Sequence, residues 1–267
     1  MRFLPVLDLR GGIVVRAVAG RRSEYRPLVS RLTGSTDPLA VADAIRGKFG
    51  WSEFYVADLD AIAARGSAGN VPHYARLRDA GFNLWLDAGI RDAADADRIS
   101  SQAERVIVGS ETLRDLASWR EVILRLGPER AVFSLDLRDG RPLLPSCSLP
   151  SCGKGSGCGG GTSTPHPDPP TQGGRGPEAL MIADQVIADG GRHLIVLDLA
   201  HVGTGGGPAT EAICAAVIRQ HPGVAIYTGG GIRGCDDIRR LQAIGVAGVL
   251  LASALHDGSH ETPVGAC

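Results

Sequence analysis

Leu7-Asp8-Leu9-Arg10-Gly11-Gly12, near the start of the chain, returns in its second half as Leu135-Asp136-Leu137-Arg138-Asp139-Gly140. Three more stretches do the same. Val56-Ala57-Asp58-Leu59 is echoed by Val196-Leu197-Asp198-Leu199, Ala88-Gly89-Ile90-Arg91 by Gly230-Gly231-Ile232-Arg233, and Val106–Leu113 more faintly by Val249–Leu255. The echoes keep their order, so the second half reads as a copy of the first. Ordered self-similarity of this kind is a signature of architecture.

Each echo falls at the end of a short apolar run. There are eight such runs: Phe3–Asp8, Glu53–Asp58, Asn83–Ala88, Arg105–Gly109, Ala131–Asp136, His193–Asp198, Ala225–Thr228 and Ala247–Leu251. Amphipathic stretches such as Pro38–Phe49, Val71–Ala80, Leu113–Leu126, Pro177–Asp189 and Cys235–Ile244 lie between most of them. Strands alternating with helices imply parallel strands joined by right-handed crossovers. Four βα units in each half predict one α/β domain over 1–267, a closed (β/α)8 TIM barrel with half-barrels at about 1–130 and 131–257. A length of 267 residues suits that fold.

Composition agrees. Hydrophobic residues make up 43% of the chain and aromatics only 4%, so the core is aliphatic, as buried parallel strands require. The net charge of −1 gives no global field for nucleic acid or a membrane surface, and any anion must be held locally. The opening Met1–Asp8 meets a charge too soon for a signal-peptide core, and no run approaches a membrane span. The expectation is a cytoplasmic protein, monomeric or a small oligomer. The segment 146–176 is nearly pure Gly, Pro, Ser, Thr and Cys, and reads as a flexible insert after the fifth strand. Its Cys147, Cys152, Cys158 and His166 lack the tight Cys-x-x-Cys pair of common zinc sites, so no metal is expected there.

In a barrel of this type the chemistry sits at the C-terminal ends of the strands. Four runs end in aspartate: Asp8, Asp58, Asp136 and Asp198. Asp58 and Asp198 read as structural, each a helix cap or a set of hydrogen bonds to a neighbouring strand. The repeat sets Asp8 and Asp136 on opposite sides of one mouth, where one carboxylate can take a proton while another group returns it. Gly230, Gly231, Ala252 and Ser253 follow the seventh and eighth strands, the usual phosphate position, and Gly89, Gly109 and Ser110 hold the equivalent places in the first half. Two cradles imply a small substrate with a phosphate at each end.

These residues resemble the histidine-biosynthesis barrels, the HisA isomerase and the HisF cyclase subunit. The resemblance covers the chain apart from the insert. It rests on Pro5-Val6-Leu7-Asp8-Leu9-Arg10-Gly11-Gly12-Ile13-Val14-Val15-Arg16, Val56-Ala57-Asp58-Leu59-Asp60, Phe133-Ser134-Leu135-Asp136, Gly203-Thr204 before Gly207-Pro208, and Gly229-Gly230-Gly231-Ile232-Arg233. It implies a bis-phosphorylated ribose-type substrate and, for HisA, an aldose-to-ketose Amadori rearrangement without a cofactor. It also implies Asp8 as general base, Asp136 as a supporting aspartate, and the two glycine-rich sets as phosphate sites.

Three departures cut against a simple transfer of function. In the sixth-strand loop Val202 stands where the family has its acid, and a valine transfers no proton. The family's third-strand triple glycine is Asp87-Ala88-Gly89, which puts a negative charge where phosphate would bind, and Ala252 replaces a usual glycine. Three functions remain open: an isomerase with His201 as replacement acid, a diverged paralogue acting on another phosphorylated metabolite, and a non-catalytic ligand-binding or regulatory barrel.

Overall fold

The computed structural model describes residues 1–64, 69–144 and 177–257. The first strand, β1 (Arg2–Arg10), turns at Gly11 and Gly12 into antiparallel β2 (Ile13–Arg16), which pairs with the two-residue β3 (Arg26–Pro27). Helix α1 (Pro38–Phe49) begins where the Asp37 carboxylate accepts the amides of Leu39 and Ala40, and stops at Gly50 in the left-handed conformation. The chain then continues through β4 (Glu53–Asp58), α2 (Leu59–Ala63), α3 (Val71–Asp79), β5 (Asn83–Asp87) and α4 (Ala93–Ser100). There follow β6 (Arg105–Gly109), α5 (Leu116–Leu126), β7 (Ala131–Arg138) and a short antiparallel β8 (Arg141–Pro142). The last third holds α6 (Pro177–Ala188), β9 (His193–Asp198), α7 (Glu211–Gln220), β10 (Ala225–Gly229), α8 (Cys235–Ala243), β11 (Gly248–Leu251) and α9 (Ser253–His256).

Eight strands pair in parallel in the order β1-β4-β5-β6-β7-β9-β10-β11, and β11 pairs with β1 through Arg2↔Gly248 to Pro5↔Leu251. The sheet is therefore a closed eight-stranded barrel with helices between the strands, as predicted. The strands found match the eight apolar runs to within about two residues at each end. The hairpin strands β2, β3 and β8 extend the sheet beyond those runs, because the turns after β1 and β7 fold back on the rim.

Alternation along the strands divides the apolar residues into two cores. Leu4, Tyr55, Trp85, Ile107, Val132, Ile195, Tyr227 and Leu250 fill the barrel interior. Leu7, Leu9, Val56, Leu84, Val106, Phe133, Val196 and Val249 face the helices. At the N-terminal end of the strands Trp85 meets Tyr227 edge-on at 4.8 Å, and the Trp85 indole N–H donates to Glu53 at 2.8 Å. This plug closes one end of the barrel and leaves the other for ligand. Among the described residues no helix is long and apolar enough to cross a membrane. The segment 146–176, with its cysteines and His166, lies outside the described residues.

Candidate active site

A cavity of about 600 Å³ opens at the C-terminal ends of the strands. Of the residues singled out in the sequence, Asp8, Asp136, Gly230, Gly231, Ala252 and Ser253 line it. Gly89, Gly109, Ser110 and His201 do not.

Asp8 and Asp87 occupy one layer of the barrel. Asp8 of β1 is in register with Ala57 of β4, and Ala57 with Asp87 of β5, so a methyl side chain separates two inward carboxylates. The Asp87 carboxylate accepts the Tyr55 hydroxyl at 3.2 Å and the Gly89 amide at 3.1 Å. Asp136 is 6% exposed, and its carboxylate accepts the Ser134 hydroxyl at 2.8 Å. Among the described residues the Asp8 carboxylate has no hydrogen-bond or ion-pair partner. Burial, and then the Asp87 charge, push it up to about 7. Burial raises Asp87 to about 6. Asp136 is driven well above the carboxylate range by burial and then by the charges of Glu111 and Asp87.

The two glycine-rich regions differ. On the β10 and β11 side, Gly230 and Gly231 both take positive φ, and their amides make no hydrogen bond to other described residues. On the β5 and β6 side the Gly89 amide is occupied by Asp87. A Cβ on Gly109 would lie 3.0 Å from Asp136 Oδ2 and 4.0 Å from Asp87 Oδ2, so this glycine makes room for carboxylates. The Ser110 hydroxyl accepts the Asp136 amide at 2.9 Å and the residue is 1% exposed.

The remaining strand-end aspartates tie turns together. Asp58 caps α2 and accepts Asn70 and the Tyr74 hydroxyl, while Asp198 accepts the amides of Asp139 and Gly140 at 3.1 and 2.8 Å. By capping the short 3-10 turn Leu199–His201, Asp198 also sets which residues reach the ligand. Leu199 and Val202 line the cavity and His201 does not.

Several lining groups escaped the sequence reading. Tyr25 and Tyr55 bring phenols, and Glu111 brings a fourth carboxylate, paired with Arg22 at 2.7 Å. The Arg138 guanidinium has no ion-pair partner among the described residues. The signal for Tyr55 was alternation alone, since it precedes Ala57 by one inward step. Tyr25, Glu111 and Arg22 come from loops, whose paths have no period to read. Among the described residues no group of three His, Cys, Asp or Glu side chains is placed to hold a metal.

Fold and cavity together define a parallel α/β barrel with carboxylates facing glycine-rich loops across its mouth. The chain belongs to the histidine biosynthesis protein family, whose model matches residues 2–261. It is 32% identical to a phosphoribosyl imidazole-4-carboxamide isomerase of Acidothermus cellulolyticus, over 97% of this chain and 93% of the relative. A Chloroflexus aggregans isomerase of the same name is 28% identical over 98% and 95%. An uncharacterized protein of Methanocaldococcus jannaschii is 29% identical over 97% and 94%.

Proposed function

We propose that this barrel is a HisA-like isomerase that moves a proton between neighbouring carbons of a phosphorylated, aldose-derived metabolite. The observation that carries this reading is the placement of Asp8 and Asp136 in the same cavity as the Gly230–Gly231 and Ala252–Ser253 loops. The free amides of Gly230 and Gly231 suit a phosphate, which fixes one end of the substrate. Asp8, unpartnered, acts as the base that removes the proton at C2. Asp136, whose carboxyl burial raises well above the usual range, acts as the acid that opens the sugar ring by protonating its oxygen. The ring-opened imine then becomes the aminoketose without any electron acceptor.

A second reading, a paralogue with a different phosphorylated substrate, is favoured by Asp87. Its carboxylate takes the amide that a second phosphate would need. Complementation of a histidine auxotroph lacking the isomerase separates the two. Growth that depends on Asp8 supports the pathway ribotide as substrate. Absence of growth from a well-expressed protein rules that substrate out, and unchanged function in Asp8→Asn rules out both enzymatic readings in favour of a non-catalytic barrel.

A further inference from the structure

We propose that Asp87 is a second catalytic base, which takes the proton of the C2 hydroxyl after Asp8 has taken the hydrogen on the same carbon, and that Tyr55 holds its carboxylate in place. The inference rests on the isomerase reading above and assigns the one proton transfer that reading leaves without a residue.

Four protons move in the reaction. Asp136 gives one to the ring oxygen, and the nitrogen lone pair forms the imine as the C1–O bond breaks. Asp8 then takes the C2 proton. The C–H electrons become the C1–C2 double bond, the imine electrons return to nitrogen, and an enaminol results. It becomes the aminoketose when C1 gains a proton and the C2 hydroxyl loses one. Asp8 returns to C1 the proton it took from C2. The hydroxyl proton needs a separate acceptor, because Asp8 is protonated at that moment. The substrate gains two protons and loses two, so the product is an isomer and nothing is oxidised or reduced.

Of the carboxylates lining the cavity, Asp87 is the one left for this step. Asp8 and Asp136 have their roles, while Glu111 and Asp257 are held by Arg22 and Arg16 at 2.7 and 2.6 Å. The Asp87 Oδ1 accepts the Gly89 amide at 3.1 Å and its Oδ2 the Tyr55 hydroxyl at 3.2 Å. Both oxygens are thereby oriented, and each keeps a lone pair for substrate. Asp8 and Asp87 are both partly exposed, as groups that touch substrate must be.

Strand order sets the two bases in sequence. Because β11 pairs with β1, Asp8 adjoins the Ala252–Ser253 loop, and Asp87 lies two strands further round, beyond Ala57. A sugar anchored by its phosphate at β10 and β11 meets Asp8 first and extends over the Ala57 methyl toward Asp87. The cycle also closes. A Cβ on Gly109 would stand 3.0 Å from Asp136 Oδ2 and 4.0 Å from Asp87 Oδ2, so the donor of the first proton and the acceptor of the last flank one glycine. Asp136 is raised well above the carboxylate range and Asp87 to about 6, so the proton returns downhill from Asp87 to Asp136.

The test follows two probes in deuterium oxide, the pathway ribotide and N-phenyl-5-phosphoribosylamine. NMR reads deuterium at C2 of recovered substrate beside formation of the ketose. Asp87→Asn keeps the shape of the side chain and removes the base. It is expected to lower ketose formation by about 10²–10⁴, while deuterium still enters C2 at no less than about a third of the unmutated rate. Asp8→Asn should abolish both. Tyr55→Phe should lower ketose formation by about three- to thirtyfold with exchange likewise preserved, and it decides the matter if Asp87→Asn fails to fold. Unchanged ketose formation in Asp87→Asn, or exchange and ketose formation that fall in step in both variants, overturns the inference and leaves the isomerase reading standing. Neither exchange nor ketose from the unmutated protein with either probe overturns both together.

Discussion

Asp8 and Asp87 stand in register on either side of Ala57, two strands apart, with both side chains turned into the barrel. At the spacing of parallel strands their Cα atoms are roughly 10 Å apart, and carboxyl groups leaning into one cavity come closer. Burial, and then the Asp87 charge, raise Asp8 to about 7, while burial raises Asp87 to about 6. A base that ionises near neutrality, in one cavity with Asp136, whose carboxyl burial raises well above the usual range, is the arrangement proton transfer requires.

This pairing predicts how stability responds to pH. The folded state binds the Asp8 proton more tightly than the unfolded chain, where the ordinary value is 3.8. Stability from this group is therefore greatest in acid and falls as pH rises from about 4 to about 7, by at most about 1.4 kcal/mol per pH unit. Asp87 and Asp136 act in the same direction, and His256, lowered to about 4 by burial, acts in the opposite one. Comparison with Asp8→Asn isolates Asp8. Urea titrations at about pH 5 and about pH 8 should show the unmutated protein losing more stability over that interval than the variant. Equal losses would show that Asp8 titrates normally.

Gly231→Ala tests the loop proposed to hold phosphate. Gly231 has φ +76°, and a Cβ there would lie 2.6 Å from the Gly207 carbonyl oxygen. The Gly207 amide donates to the Gly231 carbonyl at 2.9 Å, so the two loops cannot separate without losing that bond. The strain is expected to cost about 1–3 kcal/mol and to lower Tm by about 2–10 °C. Phosphate affinity should fall along with it. An unchanged Tm would mean that the loop yields freely.

Two buried aspartates anchor the turns after β5 and β10 in the same way. Asp95 accepts the Arg91 amide and the Nε and Nη2 N–H groups of its guanidinium, and Asp237 does the same for Arg233. Both aspartates are 2% exposed while the arginines are half in solvent. Replacing Asp237 by Ala strands the Arg233 amide and frees the loop that carries Gly230 and Gly231. We expect a loss of about 1–3 kcal/mol in chemical denaturation and weaker phosphate binding. Asp95→Ala should cost similar stability with little effect on phosphate, because its turn leads to a cradle already filled by Asp87.

Much of this architecture can be read from residue order because the signals are local. Helix α1 spans Pro38–Phe49 as predicted, since Asp37, Pro38 and Gly50 mark both ends. Helix α5 starts at Leu116 rather than Leu113, because Asp115 caps it through the Ser118 amide and Leu113 packs in the turn before. Helix α4 is short and carries aspartates at two of its first five positions, so its apolar stripe is thin. In the site, Asp8 and Asp136 stand out as charges closing apolar runs. What becomes of Gly89, Gly109 and Ser110 depends on where the Asp87 and Asp136 side chains turn, a three-dimensional fact that no spacing encodes.

The sharpest contrast concerns the acid. His201 has the chemistry for the role, but the Asp198-capped turn keeps it off the cavity wall, and Val202 beside it carries no proton. Asp136 lines the cavity, is oriented by Ser134 and is raised well above the usual carboxylate range by burial. His201→Ala is therefore expected to change kcat by less than about threefold, while Asp136→Asn lowers it by about 10²–10⁴, the usual worth of a positioned acid or base. Once a turnover assay is in hand, the two variants are compared with their thermal unfolding, so that a folding defect in Asp136→Asn is seen separately. If His201→Ala loses activity by orders of magnitude with its Tm unchanged, the sixth-strand loop must swing inward on binding substrate, and the imidazole rather than the carboxyl returns the proton.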